Sequence, residues 1–153
     1  MKQTSQKIQA IVFRYNEALI EYLVLRRTQD KKGIWQPVTG NFDSKDKDVL
    51  ATCTRELKEE IGISKPKNIL ENIYSFIYQG TKDKKDKEFE EHVFGVEVEL
   101  NQEIILQSTP YIEHQEYVWT SYDGAFELFE FIEQKEALNR LHKMLLKENN
   151  DEN

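Results

Sequence analysis

The spacing of apolar and polar positions changes period several times along the chain. Ile8–Phe13 is a continuous apolar, β-branched run, and Ala18–Leu25 alternates apolar residues with charges; Asn16-Glu17 between them predicts a β-hairpin. Trp35–Val38 predicts a short strand, after a polar loop at Thr28–Gly33 and before a turn at Gly40. From Asp48 to Ile61 the period becomes helical, and Gly62 stands where a C′ glycine ends a helix. Ile69–Tyr78 and Glu91–Leu100 read as strands, joined by the mixed-charge run Thr81–Lys87, which reads as a solvated hairpin loop. Tyr117–Thr120 is a further short strand. Phe126, Phe129, Ile132, Leu138, Leu141 and Leu145 then recur near a helical period, in one long helix or two broken near Gln134, and the polar end from Glu148 is expected to fray. Strands on both sides of a central helix, followed by a C-terminal helix, predict an α/β (α+β) sandwich.

Composition narrows the class. A length of 153 residues without repeats or linkers predicts one domain over 1–153, with a core from about 8 to 147 and frayed ends. With 39% of the chain hydrophobic and 11% of it aromatic, a packed core can form and full disorder is excluded. The 28 acids outnumber the 21 bases, and the net charge of -7 argues against binding a nucleic acid polymer or an anionic membrane. An anionic small ligand then needs a metal ion or a few placed Arg and Lys residues. Cys53 is the one cysteine, so neither an intrachain disulfide nor a cysteine-based zinc site can form; it reads as a small core residue. No apolar run approaches the ~20 residues that span a bilayer, and Met1–Lys7 carries no signal-like segment, so a cytoplasmic protein is expected.

The chemistry concentrates in Arg55-Glu56-Leu57-Lys58-Glu59-Glu60-Ile61-Gly62-Ile63. At about 100° per residue, with Glu56 at zero, Glu60 falls near 40° and Glu59 near 300°, roughly a 100° arc. Val49, Leu50, Cys53, Leu57 and Ile61 lie between roughly 20° and 140° on the same wheel, so the acidic face borders the buried one. Local energetics oppose this arrangement. Glu56 and Glu60 form a like-charged i,i+4 pair, costing about 0.2–0.5 kcal/mol, and Glu59 and Glu60 sit at the helix end that disfavours anions. A hard divalent cation turns such repulsion into coordination, and clustered carboxylates suit Mg²⁺ or Mn²⁺.

This string resembles the signature of the Nudix hydrolases: Gly, five residues, Glu, seven residues, then Arg-Glu-apolar-x-Glu-Glu-x-Gly-apolar. Its second half matches from Arg55 to Ile63. Counted strictly back from Arg55, the first Gly and Glu positions hold Asn41 and Lys47; with one extra loop residue they hold Gly40 and Asp46. The second alignment is preferred, because Val38-Thr39-Gly40 is expected to end a strand and a loop absorbs an insertion cheaply. The resemblance implies an α/β/α sandwich with a mixed sheet and one catalytic loop-helix-loop. It also implies Mg²⁺-dependent hydrolysis (Mn²⁺ as a substitute) of a nucleoside diphosphate linked to another moiety. By position, Glu56, Glu59 and Glu60 are the implied metal ligands, Glu56 or Glu59 the implied base, and Arg55 the residue that orients them.

Two further stretches, Leu25-Arg26-Arg27 with Trp35–Gly40, and Glu113–Trp119, resemble the bacterial dihydroneopterin triphosphate pyrophosphohydrolases; the second resembles the diadenosine tetraphosphate hydrolases equally. Arg26 and Arg27 are candidate phosphate clamps, of which strand alternation lets only one face the site. Trp35 either stacks on a purine or pteridine or belongs to the core. Gly40 is a substrate-side candidate, and Glu113 is a candidate further metal ligand from across the cleft; His92 and His114 read as structural or exposed. The expected reaction is pyrophosphohydrolysis of a nucleoside triphosphate-like substrate: dihydroneopterin triphosphate, a deoxynucleoside triphosphate or a dinucleoside polyphosphate. The altered first half of the signature supports an alternative, a nucleotide-binding regulator with weak or no turnover. The amphipathic C-terminal helix supports a third reading, a plain interaction module. A homodimer is left open.

Overall fold

The computed structural model describes residues 3–80, 86–106 and 112–151. The strands are β1 (Gln3–Asn16), β2 (Leu19–Arg27), β3 (Trp35–Gln36), β4 (Val38–Asn41), β5 (Asn68–Gln79), β6 (Lys87–Glu97) and β7 (His114–Thr120). The helices are α1 (Val49–Ile61), α2 (Tyr122–Leu128) and α3 (Ile132–Asp151). Residues 81–85 of the expected hairpin loop lie outside the described residues.

β1 organises a mixed sheet. It runs parallel to β6 from Gln3↔Lys87 to Phe13↔Glu97. Its other edge is shared, with the C-terminal half pairing antiparallel with β2 and the N-terminal half with β4. β2 carries β7 and the two-residue β3, and β5 closes the far side on β6. The expected single strand at Trp35–Val38 is therefore two strands with different partners. Pro37, which has no N–H to give a ladder, stands at the switch. Gly40 consequently lies inside β4, not in a turn.

Alternation buries both faces of the sheet. Ile8, Ala10, Val12, Leu23, Leu25, Phe94 and Val96 pack with Cys53, Leu57 and Ile61 of α1. Ile11, Phe13, Tyr22, Val24 and Val93 pack on the other face with Leu138, Leu141 and Leu145 of α3. The result is helix, sheet, helix, the sandwich expected from the pattern.

Several boundaries differ from the sequence reading: β6 runs Lys87–Glu97 instead of Glu91–Leu100, and β7 begins at His114 instead of Tyr117. β1 begins at Gln3 because the parallel ladder with β6 recruits polar residues whose pattern carries no strand signal. The C-terminal helical pattern breaks at Phe129–Phe131, before Gln134, and its polar tail stays helical through Asp151 instead of fraying from Glu148. Among the described residues, no helix is long and apolar enough to cross a membrane.

Candidate functional site

α1 is fixed at both ends by local chemistry. The Asp48 carboxylate accepts from the Ala51 amide at 2.9 Å, capping the first turn. Gly62, at φ 72°, turns the chain out of the last turn, with its N–H directed to Leu57 and Lys58 carbonyls. The segment just after the cap is held against the Ile104–Ile105 stretch, where the Ile105 amide donates to Ile61 O at 3.0 Å.

Arg55 is the hub of the loop and helix. Its Nε and Nη2 donate to the two Asp46 oxygens at 3.0 Å each, a bidentate pair. Nη2 also donates to Asn41 O at 2.9 Å, and Nη1 donates to Glu56 at 2.9 Å and Glu59 at 3.2 Å. Asp46 further accepts from the Thr52 hydroxyl and the Asp43 amide. The Arg55 bonds, then the Asp43 amide, hold the Asp46 carboxyl far below the usual carboxylate range. Arg55 is in turn locked in its charged form, Asp46 being the first cause.

Asp46, not exposed Lys47, thus takes the acidic place beside Arg55, and Asn41 contributes only a carbonyl. Gly40 has a steric reason to be glycine: a Cβ there would lie 2.3 Å from Glu56 Cδ. The extra-residue alignment, with Gly40 and Asp46, is the one this geometry favours.

The carboxylates divide into two groups. Glu56 is buried against Gly40, while Glu59 reaches the surface. Burial pushes Glu56 up to about 7; Arg55 pulls it down, and Glu60 and Glu59 raise it again. Glu60, one turn on and also buried, points the other way, toward the start of β7. There single ligand atoms of Glu60, Glu113 and His114 lie within 4.8 Å of one another. His114 Nδ1 is 3.4 Å from Glu60 Oε2, yet it is buried without a hydrogen-bond partner; Nε2 lies 3.4 Å from Gln36 Nε2. Burial opposes ionisation of Glu60, but the His114 and Glu113 contacts and the Arg27 charge outweigh it and hold this carboxyl below its ordinary value. Glu113 is pushed up to about 7, by partial burial and then by the carboxylate of Glu60.

These donors fit a hard divalent cation. Carboxylate oxygens predominate, one imidazole nitrogen is left without a partner, and the Glu60 carboxylate helps to push up its neighbour Glu113. Pairing of β2 with β7 places Arg27 opposite His114, and a register shift between Arg26 and Arg27 re-aims the arginine.

Of the two candidate arginines, the structure places Arg27 in the cavity lining and Arg26 outside it. Arg27 lines a cavity of about 480 Å³ and its buried Nε has no hydrogen-bond partner. Arg26 is occupied elsewhere: it pairs with Glu116 at 2.7 Å, donates to Gly33 O, and lies over the Trp35 ring. Trp35 is partly buried against the α3-side core and is not part of the cavity lining.

The cavity opens on the α3 face of the sheet. Phe76, Tyr78 and Phe89 form one wall and Phe131 another, with Lys7, Gln36, Thr39, Glu91, Glu133 and Gln134 supplying polar atoms. Sequence reasoning set His114 aside and missed Gln36 and Glu91. Each lies outside the helix motif along the chain, and only strand pairing brings it to the site.

Residues 6–141 match the profile of the NUDIX domain family. The bis(5'-nucleosyl)-tetraphosphatase [asymmetrical] of Rattus norvegicus is 30% identical over 142 residues, covering 88% of this chain and 87% of that protein. Among solved structures, an Ap4A hydrolase of C. elegans, in a binary complex, superposes with a TM-score of 0.75 at 20% identity, over 94% of this chain and 98% of that one. The dihydroneopterin triphosphate pyrophosphohydrolase of E. coli gives 0.72 at 18% identity, over 88% and 92%. The two structural likenesses establish the fold. With the family match over most of the chain and the rat relative, the conclusion is that this protein belongs to the Nudix hydrolase family.

Proposed function

We propose that the protein is a divalent-metal-dependent hydrolase of a phosphoanhydride bond in a nucleoside polyphosphate or a closely related triphosphate. The observation that carries this reading is the grouping of Glu60, Glu113 and His114, one turn along α1 from the Arg55-braced Glu56, and its link to an aromatic cavity through Arg27, paired with His114, and Gln36, 3.4 Å from it. Glu60, Glu113 and His114, with Glu56 and Glu59 alongside, are the residues that would hold Mg²⁺ or Mn²⁺. When bound, the ion supplies neutralisation of phosphate charge and acidification of a water.

The chain's own groups do the rest. Arg27, which lines the cavity and whose buried Nε has no hydrogen-bond partner, neutralises and orients phosphate oxygens. Glu56 or Glu59 takes the proton of the attacking water. The new bond forms from water oxygen to phosphorus, the bridging P–O bond breaks, and its electron pair leaves with the departing phosphate group. Arg55 keeps Glu56 and Glu59 in register, a positioning role. The net charge of -7 is tolerable because the positive field is local. The altered spacing of the loop, which favours a binding-only regulator in the sequence, leaves the Arg55 anchor complete.

The rat relative's name makes dinucleoside tetraphosphates the first substrates to try; deoxynucleoside triphosphates and dihydroneopterin triphosphate complete the panel. Released phosphate is measured with and without inorganic pyrophosphatase, in Mg²⁺ and in Mn²⁺. Turnover that disappears with EDTA and falls at least about a hundredfold in Glu60→Gln is the expected result. Tight nucleotide binding with no hydrolysis in either metal would overturn the proposal in favour of a regulator.

A further inference from the structure

The α3-face cavity holds a buried carboxyl that the hydrolysis does not use. Glu91 is 6% exposed and sits at the middle of a cross-sheet row, paired with Lys7 of β1 on one side and Phe76 of β5 on the other. Next to that row Phe76, Tyr78 and Phe89 form a continuous stack, with ring centroids 5.8 and 5.4 Å apart. The Tyr78 hydroxyl donates to Glu91 Oε1 at 3.4 Å, a long bond that leaves most of the carboxyl's accepting capacity unused. Gln9 is paired with Val93, two residues along β6 from Glu91. It is fully buried, and neither its side-chain nitrogen nor its oxygen has a hydrogen-bond partner. Such groups cost free energy unless something satisfies them.

Aromatic walls call for a planar ring, and the carboxyl restricts which edge that ring can present. A carboxylate only accepts, so it is complementary to two adjacent N–H donors in one plane. Uracil offers a single N–H between two carbonyls, which repel it. Adenine and cytosine offer one donor beside one acceptor, which would require a protonated carboxyl and give a neutral pair about half as strong. The ring N–H and exocyclic amine of a 2-amino-lactam provide both donors, and this edge is shared by guanine and pterin.

We propose that Glu91 is the specificity-determining residue of this cavity, its carboxylate accepting both N–H donors of a 2-amino-lactam heterocycle of the guanine or pterin type. Lys7, on the neighbouring strand and in the same cavity, supplies compensating charge. This inference rests on the nucleotide-hydrolase reading above and names the substrate class of that same site.

The test removes one donor from the ligand as well as the acceptor from the protein. Calorimetric titration without metal compares guanosine, inosine and adenosine 5′-monophosphates on the wild type and on Glu91→Gln; inosine lacks only the 2-amino group. The wild type is expected to bind the guanosine compound at least about tenfold tighter than either of the others. In Glu91→Gln the ratio falls to near one. Parallel KM values for GTP, ITP and dihydroneopterin triphosphate in Mg²⁺ then separate a guanine source from a pterin source. Equal binding of guanosine and inosine compounds, no binding of the guanosine compound, or a preference that survives Glu91→Gln would overturn the proposal. Hydrolysis with no guanine or pterin preference would refute the role of Glu91 and leave the hydrolase standing. A preference in binding with no hydrolysis of any substrate would do the reverse. The ligand-side comparison is made on the unaltered protein, so it stands even where the variant fails to fold.

Discussion

The two ends of the site differ in how far the protein satisfies itself. At the loop end, Arg55 gives five hydrogen bonds to Asp46, Asn41, Glu56 and Glu59, and Asp46 takes up the remaining donors of Asp43 and Thr52. At the strand end, His114 Nδ1 and Arg27 Nε are buried without hydrogen-bond partners, beside two carboxyls that shift in opposite directions. The first end is complete as folded and serves as scaffold. The second leaves buried polar atoms unpaired, which the proposed cation and phosphorylated ligand would satisfy.

The sharpest way to break this contrast is to remove the hub. Arg55→Ala strips the partners from Asp46 and leaves Glu56 buried with two carboxylates nearby. Stability should fall by about 1.5–3 kcal/mol, and the melting temperature by about 2–4 °C per kcal/mol. Activity should fall with it, because Glu56 and Glu59 lose their positioning. A variant that melts like the wild type in calorimetry would show that the loop end is not the scaffold.

A smaller effect comes from Gly40→Ala. The new Cβ must displace the Glu56 side chain, at about 1–3 kcal/mol for overpacking. Thermal melting measures the cost; an unchanged midpoint would mean that Glu56 moves aside freely, and the loop would then be less tightly set than its hydrogen bonds imply.

The gentlest probe is pH, read at Glu91. Burial pushes its carboxyl up to about 7; Lys7 and the Tyr78 hydroxyl pull it down, and Glu133 of α3 pushes it up. Between its unfolded value near 4.3 and the folded value the native protein holds the extra proton, so the favourable contribution is full below about pH 4 and lost as pH rises through about 7. Glu91→Gln does not titrate. Its melting temperature relative to the wild type should therefore climb between pH 4 and pH 8, by several degrees for about 1–3 kcal/mol. A flat difference across that range would mean Glu91 is ionised as easily as on the surface.

What the sequence reveals follows from range. α1, its Gly62 stop and the acidic arc are written within fifteen residues, so helical periodicity and local charge repulsion expose them. The sandwich is legible too, because alternation in β1, β2 and β6 supplies both faces. The switch from β3 to β4 is less so: Pro37 marks it, but which neighbours each strand chooses depends on the whole sheet. His114 and Glu91 carry no local signal. A histidine opening a strand and a glutamate in an acid-rich one look like surface residues until β2–β7 and β1–β6 pairing places them opposite Arg27 and Lys7.

The central claim, that the strand end is built to hold a divalent cation, is tested most directly by titrating the purified protein with Mn²⁺ and following free Mn²⁺ by electron paramagnetic resonance. The account predicts saturable binding to the wild type, weakened at least about tenfold in both Glu60→Gln and Glu113→Gln. Undiminished binding in both variants, or no binding to the wild type, would contradict it.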